Sequence, residues 1–205
     1  MSSPITRREV FQWGTALVVG SAALAEPGSA FAGGARVQLT VMLVDVDSNV
    51  AQAFGRITAA SGVPVQSIRD DLTEVYCDQL APRWRKGRRA AIGGLTGAAP
   101  LFYLERLAWH AGMRTVFLGR HEISGDVPPI HALRGPRPAI DAFHDSVRLI
   151  DWQVALAHAL RTIPVTTPAL QPVSLVRDAL VAGDSALFSW VLAPVTGDRN
   201  GEVWF

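Results

Sequence analysis

Cysteine is almost missing from this sequence: Cys77 is the only one. A single thiol excludes an intramolecular disulfide and any metal or redox centre built from several cysteines. Lysine is equally scarce, Lys86 standing alone among 19 basic residues. Charge of either sign is modest, with 18% charged residues and a formal net charge of +1, so no bulk attraction to a polyanion or polycation is implied. The five histidines, His110, His121, His131, His144 and His158, never take the His-x-x-x-His spacing that sets two imidazoles on one helical face for zinc. Membrane-length apolar runs are missing as well, and no internal repeat or second domain is visible. The uncharged stretch near the start, Trp13 to Ala25, has the length of a signal rather than of a span.

What is present begins with that leader. A basic pair in Thr6-Arg7-Arg8-Glu9-Val10-Phe11, the apolar stretch, and the small-x-small triplet Ala30-Phe31-Ala32 follow one another in the order of a cleavable signal. The pair after Thr6, with apolar Val10 and Phe11 beyond it, resembles the twin-arginine export signal of bacteria. Val10 stands where that signal usually has Phe. The resemblance implies passage through the twin-arginine machinery, cleavage near Ala32, and a periplasmic or secreted product. Residues 1–32 are then a signal peptide, and 33–205 form one domain long enough to bury its own core.

Within that domain, Arg36 to Val44 reads as a strand that becomes buried on both faces. Ser48 is placed to cap a helix from Asn49 that Gly62 stops. A second helix is expected from Ser67, with Asp70 and Asp71 favourable to its dipole, a stripe of Ile68, Leu72, Val75 and Tyr76, and Pro82 as its end. Ala90-Ala91-Ile92 then leads through Gly93-Gly94-Leu95-Thr96-Gly97 into a helix containing Pro100 that ends by Gly112. Thr115 to Leu118 forms the next strand. This strand, glycine turn, helix, strand succession predicts a βαβ unit. The fold class expected is therefore α/β, a single three-layer domain with a small parallel or mixed sheet. Ser124 to Pro138 reads as a loop. One long helix is expected through Ile140, Phe143, Val147, Ile150, Val154 and Ala157. A short helix near Leu175 to Val181, a strand from Ala186 to Leu192 and a terminal hairpin at Asn200-Gly201 complete the chain.

In open parallel sheets, ligands gather beyond the carboxyl ends of the strands. The expected tips carry Asp45 and Asp47, then Gly94, Thr96 and Gly97, then Arg120, His121 and Glu122. If these strands are parallel, the tips converge into a site for a small polar or anionic ligand. Asp45, Asp47, Thr96 and His121 are its candidate catalytic groups, and Gly94, Gly97, Arg120 and Glu122 its candidate ligand contacts. Each tip also has a plainer role, in capping, turning or close packing. Val41 to Asp47 resembles the first motif of haloacid dehalogenase-type phosphatases, which implies Asp45 as nucleophile and Asp47 as acid/base beside a bound magnesium. The continuation after Asp47 and the later aspartates depart from that family. Gly94-Leu95-Thr96-Gly97-Ala98 resembles the nucleophile elbow of α/β-hydrolases, which implies Thr96 as nucleophile with His121 or His158 as base.

Three further features are legible. The run Arg83-Trp84-Arg85-Lys86-Gly87-Arg88-Arg89 is a basic loop. For an exported protein its Arg83, Arg85, Lys86, Arg88 and Arg89 suit an anionic lipid, a polysaccharide or an acidic partner, and nucleic acid is not expected. Cys77, beside Tyr76, is expected as a small buried filler. His144, Asp151 and His158 fall on one face of the expected long helix as a polar flank, too far apart to share a metal. No cofactor is indicated. The expectation drawn is a noncatalytic exported protein that binds a small ligand or assists an exported partner enzyme, with a phosphatase-like or esterase-like hydrolase as the alternative.

Overall fold

The computed structural model describes residues 35–69, 71–125, 128–171, 176–179 and 185–195. The leader, Asp70, the two ends of the expected helix near Leu175 and the terminal hairpin lie outside these residues; the described middle of that helix, 176–179, is helical. All described residues belong to one compact unit.

Strand β1 (Leu39–Asp45) is followed by helix α1 (Asn49–Ala60). Ser48 caps α1 by accepting the Ala51 N–H at 3.1 Å, and Gly62 just past its end has φ +85°, the left-handed conformation that glycine takes without a Cβ penalty. Next come β2 (Val65–Ile68), a wide helical turn over Val75–Leu80 that runs into α2 (Ala81–Arg85), and β3 (Ala91–Thr96). Helix α3 (Ala98–His110) leads to β4 (Met113–Glu122) and β5 (Ile130–Arg134). Helices α4 (Arg137–Val147) and α5 (Trp152–Leu160) and strand β6 (Leu187–Pro194) complete the order.

The six strands form one mixed sheet in the order β2-β1-β3-β6-β4-β5. β1 is parallel to both β2 and β3, whereas β6 is antiparallel to β3 and β4, and β5 is antiparallel to β4. The fold is thus α/β with three layers. α3, α2 and the wide turn cover one face through Leu80, Trp84, Leu101 and Leu104. α1, α4 and α5 cover the other through Phe54, Phe143, Leu156 and Leu160. Burying each such Leu or Phe side chain stabilises by about 1.5–3 kcal/mol. β1-α1-β2 is a βαβ unit with adjacent strands. The β3-α3-β4 crossover also joins strands of the same direction, but β6 is inserted between them.

Several local expectations are corrected. Ser67 caps no helix; it lies in β2, because the run Val65 to Ile68 pairs with β1. Pro82 does not end the second helix but sits in the first turn of α2. The Ala81 N–H reaches back five residues to the Tyr76 carbonyl, and that widened turn relieves the clash a proline ring makes with the carbonyl four residues before it. Cys77 is exposed, not buried. The segment Ser124 to Pro138 contains β5, whose alternation is weak because it is an edge strand. The long helix is two helices, broken where the Asp151 carboxylate accepts the Gln153 N–H at 2.8 Å and starts α5. His144, Asp151 and His158 therefore share no helical face.

Candidate functional site

The directions of β1, β3 and β4 bring their carboxyl ends to one sheet edge, with the start of β6 between the last two. Thr96 and Arg120 both pair with Phe188, and Val44 pairs with Leu95, so Asp45, Thr96 and Arg120 are level across the sheet. Alternation then separates them. Thr96, Arg120 and Glu122 point to the α3 side, while His121 points to the side of α4 and α5. The candidate residues share an edge but do not assemble into one catalytic set.

Each group at the edge has local partners. Asp45 accepts the Asp47 N–H at 2.9 Å, and its other oxygen lies beside Gly97. Its carbonyl receives Gln52 Nε2, which also reaches Ser67 Oγ. Asp47 faces Arg69 at 3.7 Å, both being well exposed, and Arg120 is ion-paired to Glu122. Thr96 is fully buried. Its hydroxyl donates to the Gly97 carbonyl at 3.0 Å and accepts from Trp190 Nε1 at 3.1 Å, so its proton is committed and no base stands over it. The turn there is also unlike an elbow, since no non-glycine residue among those described has positive φ and Gly97 is extended at φ −63°. Gly94 serves packing: a Cβ there would overlap the Trp190 ring and stand 2.9 Å from the Leu43 carbonyl oxygen.

His121 belongs to a different constellation. Its Nε2 is 2.7 Å from Ser189 Oγ on β6, and its Nδ1 is 2.7 Å from His131 Nδ1 on β5. Trp152 at the start of α5 stacks on the His121 ring with centroids 5.0 Å apart. Gly119 makes the space, because a Cβ there would overlap Ser189 Oγ and lie 2.9 Å from His121 Nε2. Only one proton fits between two Nδ1 atoms at that distance, so the hydrogen bonds run as a chain in one direction or the other. Burial and then His131 push the His121 pKa down to about 3, and burial and then His144 lower that of His131. Both rings are held neutral at neutral pH. His121 and Ser189 are completely buried.

The clefts lie elsewhere: one of about 360 Å³ at the start of β1, beside Arg36, Gly62 and Arg161, and two around the C-terminal end of α3. The first of these two, of about 360 Å³, is lined by Glu105, Arg106, Trp109, His110, Met113, Arg114, Thr115, Leu170 and Gln171. Here Arg114 lies 3.8 Å over the Trp109 ring and donates to the carbonyls of Trp109 and Met113, satisfying an acceptor at the helix end. Glu105 accepts a hydrogen bond from Thr115 Oγ1 through one oxygen, while Oε2 is buried without a partner. Burial raises its pKa, opposed by Thr115 and Arg106. The second cleft, of about 420 Å³, has Tyr76, Trp84, Leu107 and Ala111 beside Arg85, Arg89 and His110. Arg89 lies against Gly112, where a Cβ would be 3.0 Å from Nη1. No salt bridge joins Arg85, Arg89, Arg106 or Arg114 to a carboxylate among the described residues, Arg106 acting on Glu105 only at longer range.

Part of the basic run is therefore gathered with residues some twenty positions later in the chain. Trp84 is not a loop aromatic but part of the core beneath the second cleft. Sequence reasoning missed Glu105, Arg106, Arg114, Ser189 and His131. The one local signal for the first two was the uneven polarity of α3, which places Glu105 and Arg106 inside an otherwise apolar helix. Compared with protein-family models, curated proteins and solved structures, the chain finds no match in any of the three.

Proposed function

We propose that this protein is an exported, noncatalytic binding protein that takes a small anionic ligand in the cleft between the end of α3 and the start of β4. One observation carries the reading. Guanidinium groups that form no salt bridge among the described residues line this cleft and its neighbour, although the chain's formal net charge is only +1. Positive charge concentrated in concave surface focuses the field on an incoming anion. Arginine also offers paired donors to a carboxylate or phosphate. Supply of such a ligand to an exported partner enzyme suits the same cleft. Export through the twin-arginine route rests on Arg7, Arg8 and the triplet ending at Ala32.

Calorimetric titration with inorganic phosphate and with acetate tests the reading. Binding should weaken as salt is raised and fall at least about 10-fold in Arg106→Ala/Arg114→Ala protein, the loss expected for charge-assisted hydrogen bonds. Unchanged affinity in that folded variant would overturn it. Replacing Arg7 and Arg8 by Lys should leave uncleaved precursor in the cytoplasm.

A hydrolase is the second reading, and it has one observation in its favour. Ser189, His121 and His131 stand in the order of nucleophile, base and orienting group. Their burial, and a base pKa of about 3, oppose it. Covalent labelling of Ser189 by a fluorophosphonate in folded protein would favour hydrolysis; an unlabelled serine would leave the binding role.

A further inference from the structure

The two clefts flank one stretch of helix and share one residue. From α3, the first uses Glu105, Arg106, Trp109 and His110, and the second uses Leu107, His110 and Ala111. At 3.6 residues per turn these sets are centred about 120° apart around the helix, with His110 on the ridge between them. For a helix with its side chains this angle places the two cleft centres roughly 10 Å apart. Each cleft has its own pair of arginines, Arg106 and Arg114 on one side and Arg85 and Arg89 on the other; none of the four forms a salt bridge among the described residues, although Arg106 is near enough to Glu105 to act on its carboxyl. Between and beneath the charges the surface is apolar or aromatic: Trp109, Met113 and Leu170 in the first cleft, Leu107, Ala111 and the edge-to-face pair of Tyr76 and Trp84 in the second.

We infer that the two clefts are halves of a single site, and that its ligand is a dianion with two oxyanion ends about 10 Å apart joined by an apolar spacer that crosses the helix at His110. The inference rests on the anion-binding reading above and adds to it the ligand's class and span. A monoanion satisfies one arginine pair and leaves the other facing solvent. A dianion of the right length engages both, and its second end binds at the high effective concentration that a short linker confers. The apolar spacer gains from covering the Trp109 and Leu107 surface, which a compact dianion such as phosphate cannot reach. Ligands that place both charges close together fit only one half.

Titration calorimetry with straight-chain α,ω-dicarboxylates of increasing length, each compared with the monocarboxylate of equal length, tests this. Affinity should rise to a maximum for chains about eight to ten carbons long, the length that spans roughly 10 Å, with one ligand per chain and at least about 10-fold tighter binding than the matched monocarboxylate. An α,ω-diphosphonate of the optimal length identifies which oxyanion the ends prefer, and tight binding of either supports the bridge. In Arg85→Ala/Arg89→Ala protein, where both positions are exposed, the dicarboxylate should lose its dependence on chain length and fall to the affinity of a single carboxylate in the first cleft; a length optimum that persists in this variant would overturn the bridge. Affinity independent of chain length, or two long dicarboxylates bound per chain, would overturn the single bridged site and leave the simple anion cleft standing. No binding of any of these anions would overturn both.

Discussion

Acid should destabilise this protein through one buried ring. His121 is fully buried and its pKa is held at about 3 by burial and by His131, against 6.5 for the free side chain. A base whose folded pKa is depressed contributes its full stability above the unfolded pKa. That contribution is lost as pH falls, because the unfolded chain binds a proton that the folded one refuses. The window therefore runs from about pH 6.5 down to about pH 3. At pH 5 the unfolded ring is almost fully protonated and the folded ring almost fully neutral, so the loss relative to pH 7.5 is about 2 kcal/mol. That figure depends on the unfolded pKa and hardly changes while the folded value stays well below 5. His131, shifted in the same direction, adds to it. Urea unfolding at pH 7.5 and pH 5.0 measures the effect. His121→Gln protein keeps a polar side chain opposite Ser189 but cannot titrate, and its stability difference between the two pH values should be smaller than that of the parent by about 2 kcal/mol. Parallel pH profiles for parent and variant would refute a neutral, proton-excluding His121.

Three other outcomes follow from the same geometry. Gly119→Ala places a methyl between Ser189 Oγ, Leu133 Cδ2 and His121 Nε2. It should lower stability by roughly 1–3 kcal/mol as an overpacked site, measured by urea unfolding. Asp151→Ala removes the cap that starts α5 and should lower stability by about 1 kcal/mol in chemical denaturation, with the helix content near Trp152 reduced in amide exchange. In the first cleft, anion binding should strengthen as pH falls through the raised pKa of Glu105, since its ionised form repels the ligand while Arg106 and Arg114 stay charged. Calorimetry on Glu105→Gln protein should show that pH dependence gone, and a persisting dependence would refute Glu105 as its source.

The comparison of sequence with structure is clearest at particular residues. Ser48 before Asn49 and Gly62 after Ala60 delimit α1, and Gly97 and Gly112 bracket α3, because caps and left-handed glycines act within a turn of the element they end. The helix assigned from Ser67 failed because Val65 to Ile68 has partners only in β1, twenty-odd residues earlier. The single helix through Ile150 failed for the opposite reason: its apolar period persists across a break that one carboxylate, Asp151, enforces locally. At the strand tips, Asp45, Thr96 and Arg120 do share an edge. Yet His121, next in sequence to Arg120, points to the other face, as alternation along a strand requires.

From the sequence alone came the elements with strong local signals, the α/β class, and an expected export signal. These depend on backbone preferences and apolar periodicity over a few residues. Only tertiary structure decided that β6, from the far end of the chain, enters the centre of the sheet between β3 and β4. That insertion brings Ser189 to His121 across 68 positions and Trp190 over Gly94. Packing likewise placed Arg85 and Arg89 beside the end of α3. Strand order and side-chain neighbourhoods are set by which distant apolar faces bury each other best, and no local pattern records that choice.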